Sequence, residues 1–295
     1  MAAMAEEEYE DEEYEEISDE EKLKIATHFL LSSPAGEIKE LVNDVKNIIP
    51  SSVLNEDSIK SIFRTHNIDQ QTLGETTNGD VMLVSKHGEI DDNHYVDPRA
   101  GKIYGYNHVT QSWEVSDERS ADINDSVEEQ RASVQSAMDD YISTQYKASA
   151  DAKAACAVYS TSEGNLVVCL TGVATNLRNW WSGSWKGEYM ITLSGSSCSI
   201  TGQVDLLAHY FEDGNVQMNT QKKYNADDVS FSGDAIVAQI QEWENALQAS
   251  LETMYTGMSN QTFKDMRRIL PVTYTKFDWS GQQMKMAMGS GTGTL

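Results

Sequence analysis

Positive charge is scarce in this chain. Its 295 residues hold 22 Lys and Arg against 47 Asp and Glu, a formal net charge of −25. A nucleic-acid binder shows a basic face, so the balance argues against that class. Cysteine is nearly as rare. Cys156, Cys169 and Cys198 are the three, none in a CxxC pair. An odd, scattered set excludes a disulfide framework and predicts buried, reduced thiols. No window approaches 18 continuous apolar residues, so no transmembrane helix is expected. The first residues lack a basic segment followed by an apolar one, so no signal peptide is expected and the chain is read as cytoplasmic. Without a secretory route the sequons at Asn124 and Asn260 carry no weight.

Signatures of catalysis are missing as well. There is no P-loop, GxGxxG, GxSxG or HExxH. The six histidines, at 28, 66, 87, 94, 108 and 209, form no ligand pair at helical spacing. DDNHYVD (91–97) has acid spacing faintly like a calcium loop but lacks its central glycine and distal glutamate. GSGTGTL at the C-terminal end reads as a terminus, not a phosphate cradle. NWWSGSWKGEY (179–189) could be a sugar platform; packing of large side chains at a strand start, with Gly183 and Gly187 in tight turns, fits better. No catalytic residue, metal or cofactor is therefore expected, and the chain is read as a binding protein.

Hydrophobic residues make up 39% and charged residues 23%, a globular profile in a chain long enough for a sizeable core. Residues 1–21 carry twelve acids and no base; without them the net charge is −25 + 12 = −13. EEEYEDEEYEE (6–16) has nothing to bury and is expected to be a disordered acidic arm. Ser18 with Glu21 three residues on is a capping box, and Leu23, Ile25, Ala26, Phe29 and Leu30 make a helix ending near Pro34. A second runs from Glu37 to Ile49 and stops at Pro50. Ser58 to His66 gives a third, so 18–70 reads as an antiparallel three-helix stalk. VMLVS (81–85), HYVDP and KIYGYNHVTQSWEV are short strands of a meander over 71–124.

Residues 125–147 return to helix. ACAVYS, NLVVCLTGV, WKGEYMITLS, ITGQVDLLAHYF, VQMNTQKKY and DVSFS then predict five or six antiparallel strands over 155–231, with turns at Glu163-Gly164-Asn165, Gly195-Ser196-Ser197 and Asp213-Gly214-Asn215. Helices and strands in blocks give an α+β class. One long helix follows, from about Asp234 to Arg268, with Ile236, Ile240, Trp243, Leu247, Leu251, Met254 and Met258 in one stripe. At ~1.5 Å per residue it spans roughly 50 Å. Five strands at ~4.8 Å are only about 24 Å wide, so the helix overhangs unless a second chain extends the sheet. Residues 125–268 form one unit on this reading, and 269–295 a C-terminal tail.

That tail reverses the charge of the chain. Between 264 and 285 there are five bases and two acids, a local +3. Arg267 and Arg268 suit a helix C-terminus, where the dipole favours cations by only ~0.3–1 kcal/mol. They also lead into the apolar run ILPVTYTKFDW, a pattern fit for contact with an acidic surface.

Several segments together resemble the α subunit family of the heterodimeric actin filament capping protein. They are KIATHFLLSSPAGEIKELVNDV, LVSKHGEI, YVDPRAGKI, NWWSGSWKGEY, HYFEDGNVQM and MSNQTFKDMRRILPVTYTKFDW, in the family's order over 22–279. The resemblance implies an obligate pair with a β subunit. Each subunit would supply a three-helix stalk, a meander, five strands of a joint ten-stranded sheet and a long helix laid across it. It implies binding to the barbed end of actin filaments, which blocks subunit exchange, or else a scaffold role on the actin-related filament of dynactin. Carried over by position, the actin contacts fall on Lys264, Arg267, Arg268 and Leu270, with Lys276 and the tail's Met284 and Met286 adding to them. Inhibitory regulators and phosphoinositides are further partners by resemblance only. Tyr274 stands where vertebrate members carry arginine, and the tail after Trp279 is a weaker helix former than usual.

Overall fold

The computed structural model of the protein describes residues 17–76, 79–120, 126–146, 148–212 and 215–258. The chain divides into two compact units, 1–241 and 242–295. The first opens with three helices. α1 (Asp19–Leu31) is capped by Ser18, whose hydroxyl accepts from the Glu21 N–H. α2 spans Ile38–Lys46. α3 (Glu56–Asp69) starts two residues earlier than the apolar spacing suggests, because Asn55 caps it through the Ser58 N–H at 2.9 Å. Leu30, Ile38, Leu54 and Phe63 meet in their shared core.

The meander is richer than the sequence reading. Beside β2 (Val81–Leu83), β4 (His94–Asp97), β5 (Lys102–Asn107) and β6 (Ser112–Ser120) it contains β1 (Leu73–Glu75) and β3 (Glu89–Asp91). β1 pairs with β2, and β3 to β6 form a four-stranded sheet in sequence order. Tyr95, Tyr106 and Trp113 meet edge-on or tilted beneath it, their ring centroids 4.6–6.3 Å apart. The DDNHYVD acids serve the turn, where Asp91 accepts from the N–H of Asn93 and from the His94 ring.

α4 (Glu128–Gln145) leads into the five-stranded antiparallel sheet: β7 (Ala152–Ser160), β8 (Leu166–Asn176), β9 (Trp181–Ser194), β10 (Ser197–Tyr210) and β11 (Val216–Ser230), in spatial order β11-β10-β9-β8-β7. DVSFS is no separate strand. It closes β11 through a bulge beside Asp228, which takes φ +56°. Gly183 and Gly187 are not turn residues but lie inside β9. At Gly187 a Cβ would come within 2.7 Å of the buried Tyr189 ring, so the glycine is there to admit that ring.

α5 (Gly233–Gly257) begins where the Ser232 hydroxyl accepts from the Ala235 N–H at 3.2 Å. In the first unit Ile236, Val237 and Ile240 are buried, and the helix starts tightly against α4: a Cβ on Gly233 would sit 2.7 Å from the Ser133 carbonyl oxygen. Backbone cannot yield as a side chain can, so Gly233→Ala should cost about 1–3 kcal/mol of stability, read as a lowered urea midpoint with unchanged m-value. In the second unit the described residues continue α5. There Leu247 is buried while Met254, Tyr255 and Met258 are exposed. The stretch 259–268, expected to prolong the helix, lies outside the described residues. Among those residues no helix is long and apolar enough to cross a membrane.

Candidate partner-binding surface

The sheet has two long edges, and the molecule treats them differently. β7 is covered. Gln135 of α4 accepts from the Val158 N–H at 2.8 Å, and Arg131 donates to the Val158 carbonyl at 3.3 Å. Both α4 side chains are buried, so they satisfy backbone groups that an edge strand otherwise leaves open. Among the described residues no helix side chain covers the backbone of β11 in this way. It is 15 residues long, none of them buried, and among the described residues it pairs with β10 alone. Alternate residues of an antiparallel strand turn their N–H and C=O outward, so this edge offers on the order of 14 backbone groups to another strand.

Burial follows the same gradient. Leu166 to Thr171 of β8 are buried without a break, because the sheet is covered on both faces there. α4 lies on one face. On the other, Leu83 packs with Ala157, Tyr159, Val167 and Cys169. β9 and β10 alternate between buried and half-buried positions over 187–191 and 202–205, with half-buried runs at 183–186 and 205–208, and β11 buries nothing.

The two faces of the open half differ in chemistry. On the α4 face the register aligns Ala152, Ala174, Gly183, Ala208 and Met218 in one row. The next row holds Ala154, Gly172, Trp185, Leu206 and Thr220. Tyr146, at the end of α4, lies flat over Gly172, where a Cβ would meet its ring at 2.9 Å. Beyond it the rows form a shallow apolar trough of about 300 Å³, floored by half-exposed small residues with Trp185 and Leu206. Small side chains on a flat sheet leave room for a helix to lie across.

The opposite face is polar. A cleft of about 530 Å³ runs over β9 to β11 there, lined by Lys86, Lys186, Glu188, Asp205 and Lys223 among others. Lys186 reaches Asp205 at 3.0 Å and donates to the Asp69 carbonyl at 2.8 Å, tying the sheet to α3. Burial pushes the Asp205 carboxyl up, but bonds from Gln221, Lys186 and Gln203 outweigh it and hold the group below its ordinary range. Glu188 is held down at about 2, by His87 most of all and then Lys86, against an opposing push from burial.

One grouping looks like hydrolase chemistry and is not. Glu37 accepts from the Ser182 hydroxyl at 2.5 Å and faces His209 Nδ1 at 2.8 Å. The carboxylate stands between hydroxyl and imidazole, so the imidazole cannot take the hydroxyl proton as a general base. The cluster fastens the start of α2 to β9 and β10. The three cysteines are buried and unpaired.

The contacts expected at Lys264, Arg267, Arg268, Leu270, Lys276, Met284 and Met286 all lie outside the described residues. The β11 edge and the trough are what sequence reasoning missed as specific surfaces. Their signal was present: a long strand polar on both faces, and rows of Ala and Gly where a core strand would carry larger side chains.

Comparison with known proteins places these surfaces in context. A family model described as F-actin capping protein alpha subunit matches residues 26–290. The F-actin-capping protein subunit alpha of Dictyostelium discoideum is 36% identical over 273 residues, covering 89% of this chain and 94% of that protein. The Arabidopsis thaliana protein of the same name is 33% identical over 280 residues, 90% of each. A solved homodimeric actin capping protein alpha subunit from Plasmodium berghei superposes with a TM-score of 0.71 at 23% identity, over 86% of this chain and 98% of that one.

Proposed function

Because the chain belongs to the F-actin capping protein alpha subunit family, we propose that it works as one half of an obligate α/β pair that binds the barbed ends of actin filaments and blocks subunit exchange. The observation that carries this reading is the family match across 26–290, which takes in both the sheet and the basic tail. The surface described above supports it. A 15-residue open edge and an apolar trough are costly to leave in water, and both are relieved by a second sheet and a helix laid across the seam.

Within the pair, residues 18–70 serve as stalk, 71–124 as meander, 125–268 as sheet and long helix, and 269–295 as the actin-binding tail. The tail's cations Lys264, Arg267, Arg268 and Lys276 steer onto acidic actin, with Leu270, Met284 and Met286 as apolar contacts. The chain acts by binding, without turnover, in the cytoplasmic actin cytoskeleton. A second reading, two copies of this chain pairing through β11, is favoured by one observation, that the similar Plasmodium berghei alpha subunit is described as homodimeric. Co-expression with a β subunit separates them. The α/β reading predicts a stable 1:1 complex and little soluble chain without β; a stable dimer of this chain that ignores β would support the second.

A further inference from the structure

We propose that His87, Cys169 and Glu188 form a binding site for a divalent transition-metal ion, zinc above all, which clips the turn between β2 and β3 to the centre of the five-stranded sheet. One ligand atom from each of the three residues lies within 4.8 Å of the other two. They come from three elements. Cys169 on β8 and Glu188 on β9 are directly opposed in the register, so both side chains leave the same face of the sheet. His87 reaches them from the turn above.

That turn is held before any ion arrives. The His87 N–H donates to the Ser85 hydroxyl at 3.1 Å, and the Gly88 N–H to the Ser85 carbonyl at 3.1 Å. Gly88 lies flat on Tyr159, where a Cβ would come within 2.7 Å of the ring. His87 Nε2 sits 3.2 Å from Glu188 Oε1, close enough to hold that carboxyl down, but the approach is too poorly directed for a full hydrogen bond, and the nitrogen is shielded from water. Two ligands about 2.0 Å from a tetrahedral ion stand roughly 3.3 Å apart, so this separation already suits a shared metal. A sulfur, an imidazole nitrogen and a carboxylate oxygen make a set for zinc or cobalt, not for magnesium or calcium, which take oxygen. Glu188 and the neighbouring Ser85 also line the 530 Å³ cleft, which gives an ion a path in and a water for its fourth position.

Lys86 is the built-in competitor. Its Nζ lies 3.0 Å from the same Glu188 oxygen, and its side chain is 58% exposed, free to swing into water when an ion takes the carboxylate. On binding, the Cys169 S–H proton passes to solvent, the sulfur bonds the metal, and nothing is oxidised or reduced.

The test uses the full-length chain in its complex with the β subunit, stripped with a chelator and titrated with Co²⁺, then with Zn²⁺ against a chromophoric competitor. The expected result is one ion per chain and a thiolate-to-cobalt charge-transfer band. Acids elsewhere on this −25 surface can hold cations but cannot give that band. Cys169→Ser should abolish the band, and Cys169→Ser and His87→Ala should each weaken zinc at least ~10-fold, while Lys86→Met tightens it several-fold. No band in either the wild-type chain or Lys86→Met overturns the proposal. So does unchanged zinc affinity in a Cys169→Ser chain with wild-type circular dichroism. If that variant does not fold, an unchanged affinity in His87→Ala overturns it equally.

Discussion

Replacing Arg267 and Arg268 together by alanine should weaken capping at least ~100-fold while the α/β pair still assembles. The chain outside 264–285 sums to −28, that is −25 − 3, yet 264–285 carries a net +3. Two adjacent guanidiniums there serve a helix end only modestly, at ~0.3–1 kcal/mol. Against an acidic partner, close charge pairs couple by about 1.5–7 kcal/mol, and truncation leaves the opposing carboxylates unpaired. Two such losses exceed the ~2.7 kcal/mol that corresponds to a hundredfold. Steering should fail too, so the on-rate falls and its salt dependence flattens. Elongation rates against protein concentration check the affinity, and gel filtration checks the pair. Wild-type capping by the double variant would remove the basic patch from the account.

Leu206→Asp should act on the other step and weaken subunit pairing. Leu206 is half-exposed on the apolar trough, between Trp185 and Thr220 in the register, so a carboxylate there stays hydrated in the lone chain. Covered by a partner helix it loses that water without a cation to replace it, at a cost of several kcal/mol. The expected effect on association is on the order of 100- to 1,000-fold. Co-purification of a tagged β subunit reads it directly. A paired Leu206→Asp variant would show that the trough is not covered in the complex.

The helices were legible in the sequence because their signals are local. Ser18 caps α1 through the predicted residue, and Leu23, Ala26 and Leu30 of its apolar stripe meet the core of the stalk, whereas Ile25 and Phe29, also read as part of that stripe, are exposed, as is Ile48 after α2. β7 to β11 were legible from alternation and turn residues. β1 and β3 were not, because three residues carry no period and each is fixed by its neighbour. Gly183 and Gly187 were misread as turns for a related reason. What they make room for is set across the sheet and by the packing of Tyr189, not by adjacent residues. The openness of β11 belongs to the same class, since only the covered state of β7 makes the contrast visible.

The sites divide likewise. The tail's cations stand out in the sequence because the rest of the chain sums to −28, that is −25 − 3, and the family resemblance alone turns them into actin contacts. The His87, Cys169 and Glu188 set has no spacing to read: a turn, a central strand and its neighbour bring it together only in the fold.

The measurement that tests the central claim most directly is growth of single actin filaments from preformed seeds, with this chain co-expressed with its β subunit. Barbed-end growth should stop at nanomolar protein while pointed ends keep growing, and the chain without its partner should leave both ends growing. Barbed ends that go on elongating beside a well-folded α/β pair would contradict it.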